Sequence, residues 1–108
     1  MPNSYEYYFL PKAEKDLNEI VKYIEQVLFN TKAADDFAYE LFDKIDAVRK
    51  FPLSGQLIDN IHISDSELRK IVVGNYLVFY KPIEKIKTIV IVRIVYGSRN
   101  LDEILSIF

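Results

Sequence analysis

The chain has 108 residues, half of them apolar, with eight tyrosines and seven phenylalanines. That is enough for one domain over residues 1–108 with its own packed core and no metal or disulfide staple. Cysteine is absent and His62 is the only histidine. This excludes disulfides, thiolate nucleophiles, cysteine zinc sites and any multi-histidine metal site within one chain, so neither a metal nor a cofactor is expected. The net charge of −2 argues against a general nucleic-acid binder.

The N-terminus lacks a positive region followed by an apolar one. No apolar run approaches the roughly 20 residues of a membrane span. The expectation is a soluble, cytoplasmic protein without membrane contact. The charge is unevenly placed. Residues 1–67 balance to −6, residues 68–99 to +6 and the remainder to −2. Either the basic part carries a local positive field, or its charges pair with the acidic half.

Along the chain, aromatic-rich Tyr5–Leu10 reads as a strand. Pro11 suits the first helical turn, where its missing N–H has no partner to lose. From Lys12 to Phe29, Ala13, Leu17, Ile20, Val21, Ile24 and Leu28 recur at steps of three and four, predicting an amphipathic helix. Asn30 or Thr31 interrupts it, and Thr31 can cap a second helix. Ala34, Phe37, Ala38, Leu41, Ile45 and Val48 form that helix's stripe, and Pro52 prevents its continuation. So short a connection predicts an antiparallel helix hairpin. Tyr23, Val27, Phe29, Tyr39 and Phe42 fall partly off the stripes, so either they wrap the hairpin's edges or they leave apolar surface for a partner.

Residues 53–67 read as a polar loop, with room for a short strand around Leu57–Ile63. Leu68–Val73 is strand-like, Gly74-Asn75 signals a two-residue hairpin, and Tyr76–Lys81 is the return strand. Pro82–Lys85 reads as a second turn. Ile86–Tyr96 is a long β-branched run, expected to be central. Leu101–Phe108 suits a short helix or ordered tail. The expected fold is α+β: an N-terminal strand, a two-helix antiparallel hairpin, then a three-stranded antiparallel meander, with the first strand beside the last and the helices on one face.

Four local pieces in this order carry a resemblance: Val48-Arg49-Lys50-Phe51-Pro52-Leu53-Ser54-Gly55, then Leu68-Arg69-Lys70, then Val73-Gly74-Asn75-Tyr76-Leu77-Val78-Phe79-Tyr80, and last Val92-Arg93-Ile94-Val95-Tyr96-Gly97-Ser98-Arg99-Asn100. Together they resemble the RelE/ParE toxins of bacterial toxin–antitoxin modules, from about Tyr5 to Leu105. Tyr96 stands where that family often has histidine. The resemblance implies a cognate antitoxin and one of two activities: cutting messenger RNA on the ribosome, as RelE-like members do, or inhibiting DNA gyrase without hydrolysis, as ParE-like members do. Chain length and the Gly97–Leu101 corner resemble the ParE branch more. A third reading is a non-toxic interaction domain of the same fold.

A ribonuclease needs a base, an acid and cationic stabilisation of the phosphorane. Arg69 and Arg99 offer charge, and Tyr96 lies at a strand end where a catalytic group could act. Each also has an ordinary structural role open to it: ion pairing for the arginines, packing for the tyrosine. His62 reads as an exposed loop residue. Inhibition by binding needs only a surface. The candidates for target or antitoxin contact are Arg69, Lys81, Arg93, Arg99, Tyr76 and Tyr80, with an acidic or amphipathic antitoxin segment folding over the basic region. Arg93, inside the last strand, is expected on the face opposite Val92 and Ile94, either paired to a carboxylate or facing a partner.

Overall fold

The computed structural model describes residues 4–58 and 67–97. Strand β1 (Glu6–Phe9) runs into helix α1 (Pro11–Lys22), with Pro11 in its first turn. A π-helical turn (Tyr23–Val27) prolongs α1, and α2 (Thr31–Lys50) returns. Strands β2 (Gln56–Leu57), β3 (Arg69–Val73), β4 (Tyr76–Ile83) and β5 (Thr88–Tyr96) complete one sheet of order β1-β5-β4-β3-β2. β1 lies parallel to β5, and every other neighbouring pair is antiparallel. The expected α+β arrangement is therefore present, and the two-residue β2 makes the meander four-stranded.

Several boundaries differ from the sequence reading for identifiable reasons. Asn30, and not Thr31, caps α2: its Oδ1 accepts the Ala33 N–H at 2.9 Å. β4 runs through Pro82 instead of turning there, and the turn falls at Glu84–Ile86. β3 flanks β4 only as far as Tyr80, so a proline beyond that point interrupts no ladder on that side. Gly74 opens the β3–β4 hairpin at φ +57, a conformation that costs glycine little. The Leu101–Phe108 segment and most of the Leu57–Ile63 strand expectation lie outside the described residues.

Both helices pack on one face of the sheet. Ala13, Ile24, Ala34, Leu41, Ile45 and Val48 meet Val73, Val78, Tyr80, Ile89, Ile91 and Ile94. Each fully buried Leu or Ile there contributes about 1.5–3 kcal/mol of transfer free energy. Leu28, placed on the first stripe by its spacing, is instead 55% exposed. Its N–H bonds to Tyr23 O, five residues back, and this wider turn rotates it off the buried face.

A second, smaller cluster on the opposite face joins Ile58, Leu68, Phe79 and Val95, with Val92 and Leu77 beside it. Ile91 and Ile94 share the helix-side core although they are three residues apart. Strict alternation forbids that. The register between β4 and β5 shifts between Phe79 and Tyr80, which pair with Arg93 and Ile91, so Val92 is the extra residue of a bulge. Val92 and Ile94 consequently belong to different faces, against the expectation that they share one.

Candidate interaction surface

Two of the predicted residues hold one corner of the fold. The α2–β2 connection folds back over β4. There the buried Tyr80 hydroxyl accepts the Gly55 N–H at 2.8 Å and donates to Pro52 O at 2.9 Å. Burial pushes the Tyr80 phenol above its ordinary pKa, against the opposing pull of Gly55 N–H, the Arg69 charge and Ser54. A methyl group at Gly55 would overlap the Tyr80 ring, which accounts for glycine there. Arg69, paired with Tyr80 across the ladder, donates from one terminal nitrogen to Leu53 O at 3.2 Å and Gly55 O at 2.9 Å. Among the described residues its buried Nε has no hydrogen-bond partner. Tyr80 is fully buried and offers a partner no surface. Arg69 acts as a strut for the corner.

Arg93 is also committed. Its Nε and terminal nitrogen meet the Asp16 carboxylate at 2.7 and 3.1 Å, and Asp16 further accepts the Ile94 N–H at 2.9 Å. β1 pairs with β5 only as far as Ile91, so the amide of Ile94 would be unpaired without Asp16. The hydrogen bond to Asp16, opposed by burial and helped by the charges of Asp16 and Glu19, holds the guanidinium more firmly protonated than usual. The pairing joins the basic region to the acidic half, one of the two roles open to Arg93. Asp16 was legible in principle: it falls three residues after Ala13, inside an apolar stripe.

The remaining candidates separate. Tyr76 and Tyr96 face each other across β4 and β5, with ring centroids 5.6 Å apart, and Phe37 packs on Tyr76 at 5.2 Å. Burial raises the Tyr76 phenol, assisted by the neighbouring Tyr23 and Tyr96. Lys81 is half-buried in β4. Arg69 sits opposite Tyr80 and Tyr96 opposite Tyr76, positions separated by about 13 Å along β4. Arg69 and Tyr96 therefore do not form one catalytic centre. Arg99 and His62 lie outside the described residues.

What the fold does assemble is an aromatic groove. Tyr23, Leu28, Ala33, Asn75, Tyr76 and Tyr96 line a cleft of about 560 Å³ between the π-helical turn and the end of the β4–β5 hairpin. Tyr23 is 48%, Val27 58% and Phe29 88% exposed. Phe29 is held at φ +51, a costly conformation for a residue with a β-carbon. Apolar surface so displayed marks a contact site more often than a catalytic one.

The fold is that of the RelE/ParE toxins. A chain of the chromosomal ParDE toxin–antitoxin system from P. aeruginosa superimposes with a TM-score of 0.66 at 16% identity, over 87% of this chain and 97% of that one. Isolated E. coli RelE gives 0.61 at 14% identity, over 96% of each chain. The RelE–RelB complex from Pyrococcus horikoshii gives 0.61 at 19% identity, over 90% and 99%. No curated protein matches the chain. The family model described as the ParE toxin of the type II toxin–antitoxin system parDE matches residues 7–101, and the chain belongs to that family.

Proposed function

We propose that this ParE-family toxin stops growth by binding DNA gyrase in the cytoplasm, without hydrolysing RNA, and that a cognate antitoxin silences it by covering the tyrosine groove. The observation that carries the reading is the groove between Tyr23, Tyr76 and Tyr96, displayed while Arg69 is bonded to main-chain carbonyls and Arg93 to Asp16. A binding inhibitor needs such a surface. A ribonuclease would need those cations free beside a base and an acid.

That the structural relatives come from a ParDE system and a RelE–RelB complex supports an antitoxin partner. Since Arg69 and Arg93 have internal partners, an amphipathic antitoxin segment gains more from the aromatic groove than from the basic residues. Ordering on binding would bury its apolar side chains against Tyr23, Leu28 and Tyr96.

The test is induced expression with growth, plasmid supercoiling and mRNA integrity scored together. Arrested growth, lost supercoiling and intact messenger RNA are the expected outcome. Ribosome-dependent mRNA cuts would establish the RelE-like activity instead, and unchanged colony counts a non-toxic domain. A Tyr23→Ala/Tyr96→Ala variant should bind antitoxin at least tenfold more weakly, roughly the loss of 1.4 kcal/mol of contact.

A further inference from the structure

The π-helical turn conflicts with its own sequence at two neighbouring residues. Leu28 stands four residues after Ile24 and eight after Ile20, the spacing of the buried stripe, yet it is exposed. Phe29 follows this C-terminal cap in the left-handed region, at φ +51, with its ring exposed. Helix ends ordinarily place glycine there.

The hydrogen bonds show how the conflict arises. Leu28 N–H reaches Tyr23 O at 3.1 Å and Asn30 N–H reaches Ile24 O at 3.1 Å, spanning five and six residues. An α-helical turn would send Leu28 N–H to Ile24 O instead, four residues back. That geometry returns Leu28 to the stripe, over Ile24. The buried Ile24 lies at the bottom of the tyrosine groove, and Leu28 lines the same groove.

We infer that this turn is a register switch that opens and closes the groove. In the π register Leu28 stands aside, and the groove is open between Tyr23, Tyr76 and Tyr96. In the α register Leu28 turns in over Ile24 and fills the groove's apolar end. The inference rests on the reading of this groove as a contact surface. Opposing costs keep the registers close in energy. The π register exposes Leu28 and strains Phe29. The α register gives up the Asn30 N–H bond to Ile24 O, which leads the chain into the Asn30 cap of α2. At Leu28 itself one main-chain bond replaces another, so no amide is left unpaired. A partner that inserts apolar side chains competes with Leu28 for the same space. It therefore binds only the π register and holds it there.

Relaxation-dispersion NMR of the purified full chain tests the inference without a toxicity assay. Exchange on the microsecond-to-millisecond scale is expected at Ile24, Val27, Leu28 and Phe29. The apolar dye anilinonaphthalene sulfonate serves as the groove probe. At a tenfold excess over its Kd it should shift the Tyr76 and Tyr96 ring signals and lower the closed population about elevenfold. Deleting Gln26 removes the extra residue of the turn, so Leu28 N–H meets Tyr23 O with α-helical spacing and the open form is fixed. Leu28→Gln keeps the turn but would bury an unpaired amide on closing. Both variants should lose the exchange and still bind the dye, and Leu28→Gln decides where the deletion folds poorly. Flat dispersion in the parent, exchange that persists in Leu28→Gln, or exchange indifferent to bound dye would overturn the switch and leave the groove standing. A dye that leaves Tyr76 and Tyr96 unshifted would overturn the groove reading, and the switch with it.

Discussion

The Asp16 carboxylate meets the Arg93 guanidinium at 2.7 and 3.1 Å while accepting the Ile94 N–H at 2.9 Å. One side chain of α1 thus closes the stretch of β5 that β1 is too short to cover. It also removes from the surface an arginine that the charge distribution offers as a contact residue.

Asp16→Ala should cost about 3 kcal/mol, because it leaves both a mostly buried guanidinium and a strand amide unpartnered. Arg93→Ala should cost less, about 2 kcal/mol, since Asp16 keeps the Ile94 N–H. Urea unfolding of both variants checks the order. Equal losses would mean that the backbone bond contributes nothing. Arg93's folded pKa is raised, so its contribution is complete below its ordinary range and fades only in strong alkali.

Tyr80→Phe should lower stability by about 1–2 kcal/mol, through loss of the Gly55 and Pro52 bonds. It should also change the alkaline limb of the stability curve. The folded pKa of Tyr80 is raised by burial, so the associated stability is fully present below the ordinary tyrosine value of 10.0 and is lost as pH rises through the higher folded value. Thermal melts at about pH 9 and about pH 11 should diverge less in Tyr80→Phe than in the parent, with Tyr76, shifted the same way, supplying the residual slope.

Glu40 ties α2 to the β3–β4 hairpin. Its Oε2 accepts the Gly74 N–H at 3.3 Å and lies 3.0 Å from Lys44 Nζ. The Lys44 hydrogen bond, opposed by burial and aided by the Gly74 amide and the Lys44 charge, holds its carboxyl below the ordinary value of 4.5. This contribution is present above that value and lost as pH falls through the lower folded one. Because the pair is well exposed, the loss should not exceed about 0.5 kcal/mol. Glu40→Gln should remove that part of the acid-side decline, read from melts at about pH 6 and about pH 3.

Phe29→Gly separates stability from function. Relieving the φ of +51 should raise stability by about 1 kcal/mol, roughly a 5 °C rise in Tm. If the exposed ring contacts the antitoxin, the same variant should bind it more weakly. A variant that is more stable and binds equally well would remove Phe29 from the contact surface.

Much of this was legible in the chain. The α2 stripe Ala34, Phe37, Leu41, Ile45 and Val48 is buried as its spacing predicts, and the Gly74-Asn75 turn falls where the period changes. The π-helical turn, the β5 bulge and the course of β4 through Pro82 were not legible, because each answers to neighbours distant in sequence. Of the site, the off-stripe apolar residues Tyr23, Val27 and Phe29 could be picked out as candidate surface, whereas the closure of the groove by Tyr76 and Tyr96 could not.

Hydrophobic periodicity and the proline and glycine signals are local properties, and with composition they determined the helices, the succession of strands along the chain and the stock of apolar side chains. Which charges remain available to a partner was decided only in three dimensions. Desolvation forces a guanidinium placed against packed strands to find an acceptor, and the acceptors for Arg69 and Arg93 are Gly55 and Leu53 carbonyls and Asp16, brought to them by folding.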